Sequence, residues 1–193
     1  MIIGLTGGMG GGKSTAALFF EEAGYRKIDS DALVRDQVLT DPEVAAVIGG
    51  RFPDVIDGMG RVQRAVLAEH VFADDEARLW LEDLVHPRLF ALWRELLASE
   101  PKGRWVVEVP LLFEKGLENW FDFIVCVATS SPNQLARLKE RGIPQSLAVQ
   151  RISKQLPLVQ KLEKSDFVLS NDGTSQALRL QVERLAGILA DRL

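Results

Sequence analysis

Gly7-Gly8-Met9-Gly10-Gly11-Gly12-Lys13-Ser14-Thr15 is the stretch that decides the fold. It fits the pattern G-x-x-x-x-G-K-[S/T] in full, and each part has a physical reason. Glycines let several backbone N–H groups converge on phosphate oxygens without Cβ clashes. A helix beginning near Lys13 adds the positive end of its dipole. Lys13 reaches the β- and γ-phosphates, and the Ser14 hydroxyl ligates Mg²⁺. The context is the required one: Ile2 to Leu5 reads as a strand, and residues 13 to 23 follow with helical spacing. Gly8, Gly10, Gly11, Gly12, Lys13, Ser14 and Thr15 are thus the expected ATP-binding residues. The glycine fingerprint of dinucleotide folds, G-x-G-x-x-G, does not occur in this loop, which disfavours a nicotinamide enzyme.

Outward from the loop, short apolar runs alternate with amphipathic segments. Strands are expected at Lys27-Ile28 ending at Asp29, at 105–109, at 123–127 and at 167–169. Helical spacing marks 42–50, most of 64–98, 132–141, 145–155 and 174–191. Strands alternating with helices imply an α/β fold with a parallel five-stranded sheet and right-handed crossovers. The helical block between the second and third strands exceeds an ordinary crossover. It reads as an insert of about 41–100, leaving a core of 1–40, 101–133 and 165–193.

Composition narrows the function. Hydrophobic residues make up 47% and charged residues 26%, which suits a folded core rather than disorder. The formal net charge of −4 argues against a nucleic-acid partner. The N-terminus lacks the features of a secretory signal, and no apolar run approaches membrane-spanning length. A cytoplasmic protein without a membrane partner is expected, either a monomer or a weak homo-oligomer. The single Cys126 lies in the apolar run 123–128 and reads as a packed thiol.

Further charged positions suggest chemistry. Ile28-Asp29-Ser30-Asp31 puts two carboxylates where the second strand ends, the edge at which parallel sheets bind ligands. Asp31 is a candidate to orient or deprotonate an acceptor hydroxyl; Asp29 or Ser30 could equally cap the next helix. Spacing alone does not choose between the carboxylates. From Gln134 to Lys164 there are seven cations, Arg137, Lys139, Arg141, Arg151, Lys154, Lys161 and Lys164, against Glu140 and Glu163, a surplus of five. Such a cluster is either a solvated helix face or a lid, about 134–164, that clamps phosphates. Glu108 ends the third strand and could hold Mg²⁺ through water, or pair with a lysine. His86-Pro87 closes an amphipathic stretch and reads as helix-terminal. Trp80, Trp93, Trp105 and Trp120 read as core or pocket wall.

These pieces together resemble the dephospho-coenzyme A kinase family. The matching segments are Gly4-Leu5-Thr6-Gly7-Gly8 running into the loop, Ile28-Asp29-Ser30-Asp31, Gly60-Arg61-Val62-Gln63-Arg64 with Leu67, and Val71-Phe72. They continue through His86-Pro87, Pro110-Leu111-Leu112-Phe113-Glu114, Gln134-Leu135-Ala136-Arg137, Arg151-Ile152 with Gln155, Lys164-Ser165-Asp166 and Asn171. Gly11 stands where the family usually has Ser, Ser30 where Ala is usual, and Glu108 where Asp is frequent.

The resemblance implies a P-loop core like that of nucleoside-monophosphate kinases, with a helical acceptor insert and a lid. It implies phosphorylation of the ribose 3′-hydroxyl of dephospho-coenzyme A by ATP with Mg²⁺. It casts Lys13, Asp31 and Arg137 as catalytic. Arg137, Arg141 and Asn171 would be on the ATP side, Asn171 near adenine. Asp31, Arg64, His86, Pro110, Leu111, Leu112, Phe113 and Glu114 would line the acceptor side. The competing readings are another P-loop small-molecule or nucleoside kinase and, further off, a non-catalytic nucleotide switch. A guanine switch would need an Asn-Lys-x-Asp motif, which is absent from the chain.

Overall fold

A computed structural model describes residues 1–190. In chain order the elements are β1 (Ile2–Gly7), α1 (Lys13–Glu22), β2 (Arg26–Asp29), α2 (Ser30–Leu33), a π-helical turn (Val34–Val38), α3 (Pro42–Arg51), α4 (Arg64–Ala73) and α5 (Asp75–Ser99). They continue with β3 (Trp105–Glu108), β4 (Phe123–Ala128), α6 (Ser131–Glu140), α7 (Gln145–Ser153), α8 (Leu158–Glu163), β5 (Phe167–Ser170) and α9 (Ser175–Ala190). The chain forms two compact units: Met1–Asp29 together with the chain from Lys102 onward, and Ser30–Pro101.

The first unit is built on a parallel sheet in the order β2-β3-β1-β4-β5. β1 is central, and its alternation sorts the two faces. Ile3 and Leu5, both wholly buried, pack with Ala16, Phe20, Leu178 and Val182 of α1 and α9. Gly4 faces the other way, where an added Cβ would strike Phe121 and Leu112. The turn after β3 therefore lies directly on the backbone of β1. Cys126 is wholly buried on β4, and burial pushes its thiol up to about 11, against the pull of Lys161 and Lys13. Such a thiol stays protonated and inert at neutral pH.

The second unit has its own core of Val38, Val44, Ile48, Val55, Leu67 and Val85. Its helices start where side chains can satisfy the first N–H groups. The Asp41 carboxylate accepts from the Glu43 and Val44 amides at 2.8 and 3.2 Å, ahead of Pro42 in the first turn. Asp74 separates α4 from α5 and accepts from the Glu76 amide at 2.8 Å. This unit begins at Ser30, not near 41, because α2 and the π-helical turn pack against α5.

His86-Pro87 is not a helix end. α5 runs through Pro87 to Ser99, and His86 stacks on Phe90 with ring centroids 5.6 Å apart. A proline removes one helical donor. Long α5 tolerates that loss while Val85, Leu89 and Trp93 bury its apolar side.

Ser30 is 4% exposed, and its hydroxyl oxygen has no hydrogen-bond partner among the described residues. A buried, unsatisfied hydroxyl costs on the order of 1 kcal/mol or more. Ser30→Ala, which restores the residue usual in the resembled family, is expected to stabilise the protein by about 1 kcal/mol. For a chain this long that raises Tm by about 2–4 °C. A thermal unfolding scan checks this, and an unchanged or lower Tm counts against it.

Candidate active site

In a parallel sheet the carboxyl ends of all strands share one edge, and here five connections leave from it. Gly7 pairs with Val127, Asp29 with Glu108, and Ala128 with Ser170. The loop after β1, Glu108 of β3, Thr129 after β4 and Asn171 after β5 therefore rise from the same rim.

The loop is stabilised from within and from outside. The Gly11 amide donates to Gly8 O at 3.0 Å. Gly10 and Gly12 have φ of +72° and +92°, the left-handed region that glycine enters without penalty. Gly12 is the N-cap of α1, so its amide and those of Lys13, Ser14 and Thr15 head the helix. Ser14 and Thr15 are exposed at the mouth.

Lys13, by contrast, is only 8% exposed. Its ammonium donates to Gly7 O and Gly8 O at 3.2 and 3.1 Å. The side chain folds back over the loop.

Glu108 ends β3, 8% exposed, and its Oε1 accepts from Ser14 Oγ at 2.9 Å. A hydroxyl and a carboxylate side by side, beside a phosphate cradle, are the hard oxygen donors Mg²⁺ takes. The residues present fit that ion.

The basic segment is not a solvated face throughout. Arg137 of α6 turns to the rim, donating through Nη2 to Asn171 O at 2.7 Å and through Nη1 to Thr129 Oγ1 at 3.5 Å. Gln134, one turn earlier, is buried against the loop, where a Cβ on Gly8 would run into its amide. Lys161 of α8 is wholly buried, 2.8 Å from Glu114 Oε1 and 3.0 Å from Pro110 O. Glu114 Oε1 also accepts the Leu156 amide at 2.9 Å, and Gln155 Oε1 accepts the Met9 amide at 3.0 Å. Arg141 and Lys154 are exposed.

Some expected site residues take other places. Asn171 is 6% exposed, and its side-chain amide donates to Gly11 O at 2.9 Å, against the phosphate loop rather than out toward a base. Leu112 is wholly buried and Phe113 nearly so. Pro110 and Leu111 are half-buried. Asp31 lies in the first turn of α2 and is exposed, whereas β2 ends at Asp29. Strand alternation therefore does not relate the two carboxylates. Arg64 heads α4 in the second unit and lines an open groove of about 1050 Å³ with Arg35, Arg61 and Gly60. Arg35 forks onto Asp36 at 2.7 and 2.6 Å. That hydrogen bonding, with further help from Arg64, holds the Asp36 carboxyl below its usual range.

Thr129 is not singled out by the sequence, and Gln134, Gln155 and Lys161 stand there only within matching segments or the basic cluster; all four lie against the loop or the turn after β3. Thr129 follows the apolar run 123–128 directly, at a strand's carboxyl end, and that position was the available signal. The burial of Lys161 rests on Glu114, far away in sequence, and no local pattern announces it.

The sequence pattern of dephospho-CoA kinases matches residues 1–177. The chain belongs to the dephospho-CoA kinase family. A relative of that name from Gloeobacter violaceus is 36% identical over 185 residues, covering 95% of this chain and 90% of the relative. One from Geobacillus kaustophilus is 35% identical over 187 residues, covering 94% and 93%. A solved structure from Thermus thermophilus superposes with a TM-score of 0.85 at 33% identity, covering 99% and 97%. The shikimate kinase of Acinetobacter baumannii, 18% identical with a TM-score of 0.55 over 100% and 94%, shares the P-loop kinase fold. The family's function is ATP-dependent phosphorylation of dephospho-CoA, which makes this kinase a transferase. Among its described residues no helix is long and apolar enough to cross a membrane.

Proposed function

We propose that the chain transfers the γ-phosphoryl group of ATP to the ribose 3′-hydroxyl of dephospho-CoA, with roles as follows. The loop amides and Lys13 bind the phosphates. Ser14 and Glu108 would hold Mg²⁺, which when bound neutralises charge on the phosphate oxygens. Arg137 stabilises the transferring phosphoryl group, and exposed Arg141 supplies longer-range positive charge to the nucleotide. Asp31 orients the acceptor hydroxyl and takes its proton late, as a loose transition state requires. The observation that carries the phosphate half of this reading is the Ser14–Glu108 contact of 2.9 Å at the foot of the loop.

The acceptor half rests on the second unit. Its groove is lined by Arg35, Arg61 and Arg64 along with apolar residues. That suits a ligand with an apolar arm and a diphosphate. We assign the groove, with His86 of the same unit, to recognition of dephospho-CoA. Segment 134–164 is the lid. The net charge of −4 suits a cytoplasmic enzyme with no nucleic-acid partner, acting as a monomer or weak homo-oligomer.

Coupled ADP release tests the assignment with dephospho-CoA, with adenosine, and with no acceptor. Binding energy from the remote part of the acceptor can be used to orient the reacting hydroxyl. Adenosine is therefore expected to lower kcat by about 10²-fold as well as raise KM. Equal kcat on adenosine would make this a nucleoside kinase. ADP release indifferent to any acceptor would make it an ATPase.

A further inference from the structure

The run Gly10-Gly11-Gly12 brings backbone close to phosphates, but it also removes steric control over which way each peptide faces. A peptide between two glycines turns over at low cost. One orientation of the Gly11–Gly12 peptide presents an N–H to the cradle. The other presents a carbonyl oxygen, whose partial negative charge repels phosphate. Something must choose between them.

Two side chains from outside the loop meet on Gly11 O. Thr129 Oγ1 donates at 2.8 Å and Asn171 Nδ2 at 2.9 Å. They come from the ends of two different strands, β4 and β5, and are 2% and 6% exposed. A carbonyl oxygen has two lone pairs, and the two donors take both. In a trans peptide the C=O and the following N–H point in opposite directions. No cis peptide occurs among the described residues. Drawing Gly11 O toward the strand ends therefore turns the Gly12 N–H away from them, at the head of α1.

We infer that Thr129 and Asn171 are positioning residues for the nucleotide, clamping Gly11 O so that the Gly12 N–H is aimed at a phosphate oxygen. This deepens the phosphate half of the proposed function and rests on it. Two further contacts support the assignment. A Cβ on Gly12 would run into Asn171 Nδ2, so the clamp requires a glycine at this position. Arg137 is held by the same two residues, through Asn171 O and Thr129 Oγ1. The loop amide and the phosphoryl-facing arginine thus hang from one support.

ADP binding, measured by calorimetry without acceptor, tests the clamp, with thermal unfolding run in parallel. Thr129→Val keeps the shape and loses the donor. It is expected to weaken ADP binding by about tenfold, the worth of one ordinary hydrogen bond. Asn171→Ala is expected to do the same. Thr129→Ser keeps the hydroxyl and should stay within about twofold of the parent. Thr129→Cys, a weaker donor, should fall between Ser and Val.

A role in packing alone would not follow that order. ADP binding by the valine variant within about twofold of the parent overturns the proposal. If that variant does not fold, serine and cysteine variants that bind equally well overturn it instead. Acceptor recognition does not enter this measurement. Failure of the clamp leaves the dephospho-CoA assignment standing, whereas a parent protein that binds no ADP defeats the phosphate-loop reading itself.

Discussion

Lys13→Ala is expected to lower kcat by about 10²- to 10³-fold, the range seen when one electrostatic contact is removed from a water-poor site. The lysine already lies over the loop, with Gly7 O and Gly8 O among its partners at 3.2 and 3.1 Å. Little reorganisation is needed to bring its charge to the phosphates. Because it is only 8% exposed, alanine would also leave those two carbonyls without this donor. Some loss of stability is therefore expected alongside the loss of rate. Lys13→Met keeps most of the stem's volume and separates the two effects. Both variants should be nearly inactive in coupled ADP release, with methionine the better folded by thermal unfolding. Near-normal kcat in either folded variant would remove the phosphate-loop assignment.

Asp31→Asn is expected to lower kcat by about 10²-fold or more, the usual contribution of a general base. Asparagine keeps the size and part of the hydrogen bonding but cannot accept the proton. ATP affinity should change little, since the loop binds the phosphates. Asp29→Asn is the necessary comparison. Asp29 ends β2 in register with Glu108, half-buried, while Asp31 stands exposed in the first turn of α2. If Asp31→Asn is nearly fully active and Asp29→Asn is dead, the base is Asp29. If both are active, orientation by the backbone and Mg²⁺ must account for the rate.

The parts of the fold legible in the sequence are those written locally. The glycine loop, the apolar runs and the helical spacing put β1 to β5 and most helices within a few residues of their bounds. α8 has no counterpart among the expected helices, since six residues between a Pro and a Ser give too short a period to count. His86-Pro87 looked terminal because proline usually ends a helix. Here the buried side of α5 carries the helix past it.

The candidate site divides along the same line. Lys13, Ser14, Glu108 and Arg137 announce themselves by charge or motif at strand and helix ends. Asn171 is named by the motif, yet its contact with Gly11 is a tertiary fact. Lys161 reads as one cation of the basic segment, a solvated face or a lid, because the carboxylate that accompanies it into the interior belongs to a distant turn. Buried charges of this kind depend on pairing across the fold, which no window of sequence displays.

The second unit has a bearing on how new kinases of this type could arise. It joins β2 to β3, which are adjacent and parallel, so the chain leaves at the carboxyl edge of the sheet and must re-enter at the opposite edge. Parallel neighbours need a crossover of about a dozen residues or more. The unit is therefore the crossover itself and not a cassette set into a surface loop. Excising it behind a short linker would sever the sheet, and a graft from another kinase must traverse the same length. If the second unit recognises the acceptor as proposed, acceptor choice is free to diversify within the crossover, but it cannot be discarded and reacquired as a separable module.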